Sequence, residues 1–159
     1  MTSELLKENS MTKTAFVYVT YINSTPQRVW DALIKPEFTR QYWEHENISD
    51  WKPGSKWEHR TPKGEPRIVG DVVEVDPPKR LVITWAAPAE AHDASKRSRV
   101  TFEIVTMDDM VQLTVTHDEL ETGSSMDKGI RSGWPRVLAS LKSLLETGKP
   151  LPTWAKAKA

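Results

Sequence analysis

The stretch RSGWPRVLASLKSLLETG, residues 131–148, decides the fold because its apolar residues recur at helical spacing close to the end of the chain. That spacing predicts an amphipathic helix with one wide apolar face. The residues on this face are Trp134, Val137, Leu138, Leu141, Leu144 and Leu145. Gly148, followed by Pro150, marks the end of the helix.

The start of this helix is open to two interpretations. Pro135 fits the first turn of a helix capped near Ser132. Alternatively, the helix begins near Met126, and Pro135 then lies inside it and introduces a kink.

One strand and two short helices are predicted at the other end of the chain. KTAFVYVTYI, residues 13–22, is rich in β-branched and aromatic residues, as is typical of an edge or half-buried strand. In NSTPQRVWDALI, residues 23–34, Ser24 or Thr25 is the expected N-cap, and Pro26 follows in the first turn. PEFTRQYW, residues 36–43, predicts a second helix with its aromatic residues turned inward: Phe38, Tyr42 and Trp43.

Residues 47–119 predict about six antiparallel strands, separated by the segments WKPGS, PKGEP, DPPKR and MDDM. Alternation in IVGDVVEVD places Val73 and Val75 on the inner face of the sheet. The same alternation predicts the other inward side chains: Leu81, Ile83, Trp85, Val100, Phe102, Ile104, Val111, Leu113, Val115 and His117.

The order of these motifs resembles the SRPBCC, or START-like helix-grip, superfamily, in the branch related to the activator of heat-shock-protein ATPase. The resemblance rests on TPQRVWDALIKPEFTRQYW, GDVVEVDPPKRLVITW, SRVTFEIV, LTVTHDEL and GWPRVLASLKSLLETG. It implies an α+β fold in which a curved antiparallel sheet of about seven strands wraps around the long carboxy-terminal helix. We expect one domain over residues 13–148, a flexible segment over residues 1–12 and a tail over residues 149–159.

The resemblance also implies a hydrophobic cavity between the sheet and the long helix. Carried over by position, the ligand-binding residues are Trp43, Trp57, Trp85, Phe102, His117, Trp134, Leu138 and Leu141. The alternative is that these residues form an ordinary core, since leucine and tryptophan at such spacing usually do. Seven tryptophans in 159 residues favour an aromatic wall. Trp51 in a turn and Trp154 in the tail are set apart as surface or lid residues.

His117 is the candidate catalytic residue, because it is the only histidine predicted on the inner face of a strand. Its structural interpretation is a neutral ring hydrogen-bonded to a neighbouring strand or to the region of Trp134. Its functional interpretation is a polar anchor for a ligand, or a general acid or base working with Glu58 or Glu119. His45, His59 and His92 lack the spacing of a metal site, so we expect no metal, and ETGSSMDKG is a Gly/Ser loop, so we expect no nucleotide cofactor.

The charge balance and the residue composition limit the kinds of binding partner that we expect. Lys plus Arg equals Asp plus Glu at 22 each, which argues against nucleic acid or an anionic membrane surface as a partner. The longest apolar runs are too short for membrane insertion, and the lack of cysteine fits the reducing cytoplasm. The polar connection over residues 86–98 is either a lid or a solvated turn.

The sequence therefore predicts a cytoplasmic protein that binds a small, mainly hydrophobic molecule without catalysis. A cyclase- or hydratase-like enzyme using His117 and a carboxylate is the first alternative. A protein-interaction module of the co-chaperone type is the second. The sequence leaves the oligomeric state open.

Overall fold

The computed structural model describes residues 13–152. Within them the strands are β1 (Lys13–Ile22), β2 (Glu46–Ser49), β3 (Lys56–Arg60), β4 (Pro66–Asp76), β5 (Arg80–Trp85), β6 (Ser98–Met107) and β7 (Met110–Glu121). The helices are α1 (Pro26–Ile34), α2 (Pro36–Tyr42) and α3 (Ser125–Thr147). This order confirms one strand, two short helices, six further strands and a long closing helix.

The seven strands form one antiparallel sheet in the order β1-β7-β6-β5-β4-β3-β2. Consecutive strands from β2 to β7 are neighbours, so that part of the sheet is a meander. β1 crosses to pair with β7, which makes it an edge strand, one of the two forms predicted from the sequence. Curved around α3, the sheet gives the predicted α+β helix-grip fold.

Local sequence explains why α1 and α2 follow each other directly, with only Lys35 between them. The Thr25 side chain accepts a hydrogen bond from the Arg28 backbone N–H, and Pro26 occupies the first turn of α1. Lys35 ends α1 and begins α2 in an extended conformation, as expected of a residue before a proline. The Tyr42 hydroxyl then donates to the Ala32 carbonyl across 2.8 Å and holds the two helices together.

The longer of the two predicted forms of the closing helix is the correct one. Ser124 caps α3 by accepting from the Asp127 backbone N–H, and Pro135 lies inside the helix. The segment ETGSSMDKG is therefore only partly a loop, since the helix begins at Ser125. At the other end Gly148 adopts φ 84°, a left-handed conformation that glycine takes without strain.

Two cationic side chains of α3 reach the edge strand β1. Arg131 donates from Nη2 to the Ala15 carbonyl at 3.2 Å. Lys142 donates from Nζ to the Tyr21 carbonyl at 2.5 Å and also pairs with Glu146. The helix is therefore fastened to both halves of β1.

The predicted inward alternation is confirmed for β5, β6, β7 and the apolar face of α3, whose predicted residues are all buried. The prediction for β4 is wrong at Val73, which is 49% exposed, whereas Val72 is 1% exposed. A register shift between Val72 and Glu74 in the β4–β5 pairing explains the difference, because a bulge reverses the inward parity. Val75, beyond the bulge, is partly buried against the core.

The connection over residues 86–98 is fixed at several points. It contains two 3-10 turns, Pro88–Glu90 and Ala94–Lys96. Lys96 pairs with Glu121 at 2.7 Å, and Arg97 donates to the Ala91 carbonyl. Within residues 13–152, none of the helices combines the length and the apolar composition needed to cross a lipid bilayer.

Candidate functional site

Side chains from six different parts of the chain meet at one end of the space between the sheet and α3. We call this group the aromatic cluster; its members are Trp43, Trp57, Trp85, Phe102, His117 and Trp134. The ring centre of Trp134 lies 5.4 Å from those of both Trp43 and Trp85. Tilted and edge-to-face contacts at such distances are favourable between aromatic rings. The structure thus brings together six of the eight predicted ligand-binding residues.

The other two predicted residues have a different place. Leu138 and Leu141 lie further along α3 and are 1% and 0% exposed. Both belong to the main hydrophobic core.

Trp57 enters the cluster because the opposite strand carries a glycine. Gly70 is the register partner of Trp57, and a Cβ atom at Gly70 would collide with the Trp57 indole nitrogen and with the Thr84 carbonyl. The Trp57 Nε1–H donates to that same carbonyl at 2.7 Å. One small residue thereby lets a tryptophan lie flat against the strand.

His117 lies at the centre of a chain of hydrogen bonds inside the cluster. The Trp134 Nε1–H donates to His117 Nδ1 at 3.0 Å. Since Nδ1 accepts, a neutral ring carries its proton on Nε2 and donates it to the Ser98 hydroxyl, 2.7 Å away. Ser98 in turn donates to the Trp85 carbonyl at 3.1 Å. The arrangement matches the structural interpretation of His117, a neutral ring held by hydrogen bonds. The ring bonds to a neighbouring strand through Ser98 and to Trp134.

Burial keeps this histidine neutral. His117 is 0% exposed, and desolvation lowers the pKa of the ring to about 3, although the nearby Asp127 carboxylate acts in the opposite direction. Both ring nitrogens are occupied by protein partners. The arrangement therefore makes His117 a fixed polar link between α3 and the sheet and gives it no free nitrogen for proton transfer.

The two carboxylates considered as partners of His117 lie elsewhere. Glu58 points to the other face of the sheet from Trp57 and His59 and pairs with Arg60 at 2.8 Å. Glu119 has φ 56° and is exposed, because β7 bulges where its pairing with β1 shifts between Thr14 and Phe16.

A second buried histidine, His59, was not predicted as a site residue. It is 6% exposed, and its Nδ1 donates to the Asn47 side-chain carbonyl at 2.6 Å. Burial, reinforced by the neighbouring His45, lowers the pKa of His59 to about 3. Its ring centre lies 4.5 Å from that of Trp43 and 4.8 Å from that of His45. His59 therefore packs against the Trp43 ring and helps to hold it in position.

A pocket of about 120 Å³ remains between the cluster and the first half of α3. Its lining is almost entirely apolar and consists of Trp43, Trp85, Gly129, Ile130, Gly133, Trp134 and Val137. Three of these residues were predicted as ligand contacts. The rings themselves occupy much of the space in which the resemblance implied a larger cavity.

Gly129 and Gly133 were missed by the sequence analysis. They lie four residues apart on α3, and a Cβ atom added to either would meet nothing within 4 Å. The spacing G-x-x-x-G inside a helix is the signal that could have identified them, because it leaves one helix face without side chains. These two glycines keep the pocket open to its surroundings.

The other residues considered in the sequence analysis are the two tryptophans set apart as surface or lid residues, the connection over residues 86–98 and the possible metal ligands. Trp51, at φ 54°, is half-buried against the core, and Trp154 lies outside the described residues. The connection over residues 86–98 does not contribute to the lining of the pocket. In the described range, 13–152, no group of three or more His, Cys, Asp or Glu side chains is placed to hold a metal ion.

The sheet, the gripping helix and the aromatic cluster define a protein of the SRPBCC helix-grip class. Residues 23–146 match the model of the family described as Activator of Hsp90 ATPase homolog 1-like protein. The chain belongs to this family. Among curated proteins, none matches the sequence.

Solved structures support the fold assignment. The Aha1 dimer from Colwellia psychrerythraea has a TM-score of 0.73 and 20% identity, covering 86% of this chain and 98% of that one. A protein from Mesorhizobium loti has a TM-score of 0.70 and 24% identity, with coverage of 83% and 96%. An HSP90 activator from Plasmodium falciparum has a TM-score of 0.68 and 19% identity, with coverage of 82% and 95%.

Proposed function

We propose that residues 13–148 form one cytoplasmic domain that binds a small, planar, mainly apolar molecule without transforming it. The observation that carries this proposal is the apolar pocket of about 120 Å³ beside the aromatic cluster. Three indole rings offer flat surfaces on which a planar ligand stacks. Both ring nitrogens of His117 are hydrogen-bonded to protein groups, which supports binding rather than acid–base chemistry.

The size of the pocket limits the ligand. Pockets for drug-sized molecules usually measure about 300–1,000 Å³, whereas an apolar cavity of about 150 Å³ accepts benzene. The pocket is smaller than either but open at the two glycines, so it suits one ring inside the pocket, with a second fused ring extending through the opening. Larger ligands require Trp43, which is only half-buried, to move away.

Indole is a suitable first probe, followed by amide and indole N–H chemical shifts in NMR titrations. We expect saturable shifts at Gly129, Gly133 and the side chains of Trp43 and Trp134. Gly133→Leu fills the pocket from the helix side and is expected to abolish these shifts. Ser132→Leu is the matched control, because Ser132 lies next in sequence and is exposed.

Two results would contradict the proposal. One is the absence of saturable binding by both indole and naphthalene at millimolar concentrations. The other is an equal loss of binding in Gly133→Leu and Ser132→Leu, since that would place the probe outside the pocket.

A protein-interaction role of the co-chaperone type is the second candidate, and one surface favours it. Large apolar side chains are exposed together on the outer face of β1, β6 and β7: Val17, Val19, Tyr21, Val105, Met107 and Met110. Large apolar side chains exposed together on one face of a sheet favour an interaction surface. The family name and the HSP90 activator from Plasmodium falciparum suggest a chaperone as the partner.

This second candidate is tested by measuring the ATPase rate of a purified Hsp90 with and without the protein. We expect stimulation that Val19→Lys removes, because a charge among the exposed apolar side chains of β1 opposes apolar contact. Ser132→Lys, at an exposed position of α3 and therefore away from the outer face of the sheet, is the matched control for added charge. An unchanged ATPase rate at saturating protein would exclude this role.

A further inference from the structure

A second pocket lies on the outer face of the sheet, away from α3. Lys56 and Glu58 alternate with the inward Trp57 along β3, and their register partners on β4 are Asp71 and Val69. Because side chains alternate across a strand, these four partners face outward together. They line a pocket of about 200 Å³, which we call the outer-face pocket. The sheet itself therefore separates it from the pocket under α3.

The outer-face pocket has depth because the pairing between β4 and β5 is interrupted beneath it. The Asp71 backbone N–H donates to the Thr84 side-chain hydroxyl at 2.8 Å. The Thr84 carbonyl accepts a hydrogen bond from the Trp57 indole at 2.7 Å. Gly70, which has no side chain, contributes to the lining together with the Trp57 ring. The interrupted pairing thus leaves a recess in the sheet.

The connection over residues 86–98 supplies another wall of this recess. Ala91 and Arg97 both line the outer-face pocket. The Arg97 Nε–H donates to the Ala91 carbonyl at 2.7 Å. The Lys13 ammonium donates to the Ser95 carbonyl at 2.7 Å and so ties the same connection to β1. The Arg97 guanidinium is therefore held through one nitrogen, and its two Nη groups remain as donors.

Arg97 is the cation of this pocket that lacks a partner of opposite charge. Lys56 pairs with Asp71 at 2.5 Å, and Arg60 pairs with Glu58 at 2.8 Å. In the described part of the chain, no carboxylate lies within ion-pair distance of the Arg97 guanidinium. A guanidinium binds a carboxylate through two parallel N–H bonds. The nearby carboxylates of Glu58 and Asp71 oppose a ligand with two negative charges.

The rest of the lining and the volume define the body of the ligand. Val69, Ala86 and Ala91 contribute apolar groups. A pocket of this volume has room for about seven non-hydrogen atoms, since liquid water occupies about 30 Å³ per molecule. We propose that the outer-face pocket binds a small monocarboxylate, which pairs with Arg97 and lays a short apolar body against these three side chains. This site is independent of the proposed apolar ligand under α3.

The first test uses isovalerate as the probe and isovaleramide as its uncharged counterpart of the same shape. In NMR titrations at constant ionic strength, we expect isovalerate to shift the Gly70 amide and the Trp57 indole N–H signals saturably. Arg97→Gln should weaken this binding at least about tenfold, because a charge-assisted pair is lost. Arg99→Gln is the matched control, since Arg99 is exposed and lies outside the lining of the pocket.

A second pair of variants tests the site without changing its charge. Ala91→Leu fills the outer-face pocket from the connection and should abolish the shifts. Ala89→Leu should retain them, because Ala89 is exposed in the same connection and does not line the pocket. Gly133→Leu closes the pocket under α3 and should leave the affinity for isovalerate unchanged, which distinguishes the two sites.

Four results would overturn the proposal. Isovalerate may bind Arg97→Gln and Arg99→Gln equally, or isovaleramide may bind the unaltered protein as tightly as isovalerate does. Loss of isovalerate binding in Gly133→Leu would place the probe in the other pocket. The absence of saturable shifts with isovalerate at millimolar concentrations would show that the outer-face pocket does not take a monocarboxylate.

Discussion

The two ends of the core beneath α3 are built on different principles. Near the end of α3, under α1, the core consists mainly of aliphatic side chains such as Ile22, Val29, Leu113 and Leu141, all of which are 0% exposed. Near the start of α3, the space is occupied by the aromatic cluster, which includes the buried His117. A pocket remains beside this cluster. The same sheet and the same helix frame both ends.

The difference shows how one fold provides stability and a site together. Aliphatic side chains pack densely and contain no polar atoms that need a partner. Large rings with an N–H group need hydrogen-bond acceptors and leave gaps, so the aromatic end depends on exact partners such as His117 and Ser98. We expect the aliphatic end to carry stability and the aromatic end to carry specificity.

The largest effect is expected at the aliphatic end. Leu141→Ala empties a fully buried position and should lower the free energy of unfolding by about 4 kcal/mol. Urea denaturation at pH 7 measures this directly. A loss below about 2 kcal/mol would mean that the aliphatic end is no more tightly packed than the aromatic end.

Acid is expected to act on the aromatic end. His117 has a pKa of about 3 in the folded protein and an ordinary pKa of 6.5 when unfolded, so the unfolded state binds more protons between these values. The contribution of the neutral His117 ring to stability is therefore fully present above the unfolded pKa of 6.5 and is lost as the pH falls from there towards about 3. From pH 7 to pH 5 the loss due to this ring is about 2 kcal/mol, and His59 adds a similar amount.

The pH effect is isolated by comparing variants. His117→Gln retains one acceptor and one donor but does not titrate, so it should reduce the difference in unfolding free energy between pH 7 and pH 5 by about 2 kcal/mol. His92→Gln, at an exposed position, should leave that difference unchanged. An equal pH dependence in both variants would show that His117 is not the group responsible.

A smaller effect is expected from removing one hydrogen-bond donor. Trp134→Phe keeps an aromatic ring but leaves His117 Nδ1 without its donor, which should cost about 1.5 kcal/mol beyond the loss of ring area. Trp43→Phe is the matched control, since the Trp43 indole N–H has no hydrogen bond within the described residues. Thermal unfolding of both variants tests the difference, and equal losses would contradict the role given to this bond.

The smallest effect is a gain. Gly129→Ala should raise the free energy of unfolding by about 1 kcal/mol, because alanine favours the helix and its Cβ meets no neighbour. Gly70→Ala is the contrasting variant and should destabilise the protein, because its Cβ would meet the Thr84 carbonyl. Destabilisation by Gly129→Ala would show that the open helix face takes part in packing.

The sequence carried the information for most of the fold but for less of the site. Alternation and helical spacing identified the buried residues of β5 to β7 and α3, because one face of each element must be covered. They failed at Val73, because a bulge reverses the parity of a strand without a local signal. The residues of the aromatic cluster were predicted, whereas the volume they leave depends on ring orientations that spacing does not encode.

The hydrogen-bond partners of the buried polar side chains could not be predicted from the sequence either. The bond from Trp134 to His117 was anticipated only as one of two options, and Ser98 and Asn47 were not considered at all. Such pairings depend on three-dimensional register between strands that are distant in sequence. Gly129 and Gly133 were readable as a G-x-x-x-G spacing, but Gly129 lay in a segment interpreted as a loop, so the two glycines were not considered together.

The fastening of α3 to β1 has a consequence for aggregation. β1 is a ten-residue edge strand, rich in β-branched and aromatic residues and free of proline, which is the kind of strand that recruits other chains into fibrils. Arg131 and Lys142 occupy carbonyl groups near its two ends and put positive charge there. Departure of α3 would uncover this template, so the helix that grips the core also serves as a gatekeeper against intermolecular β-assembly.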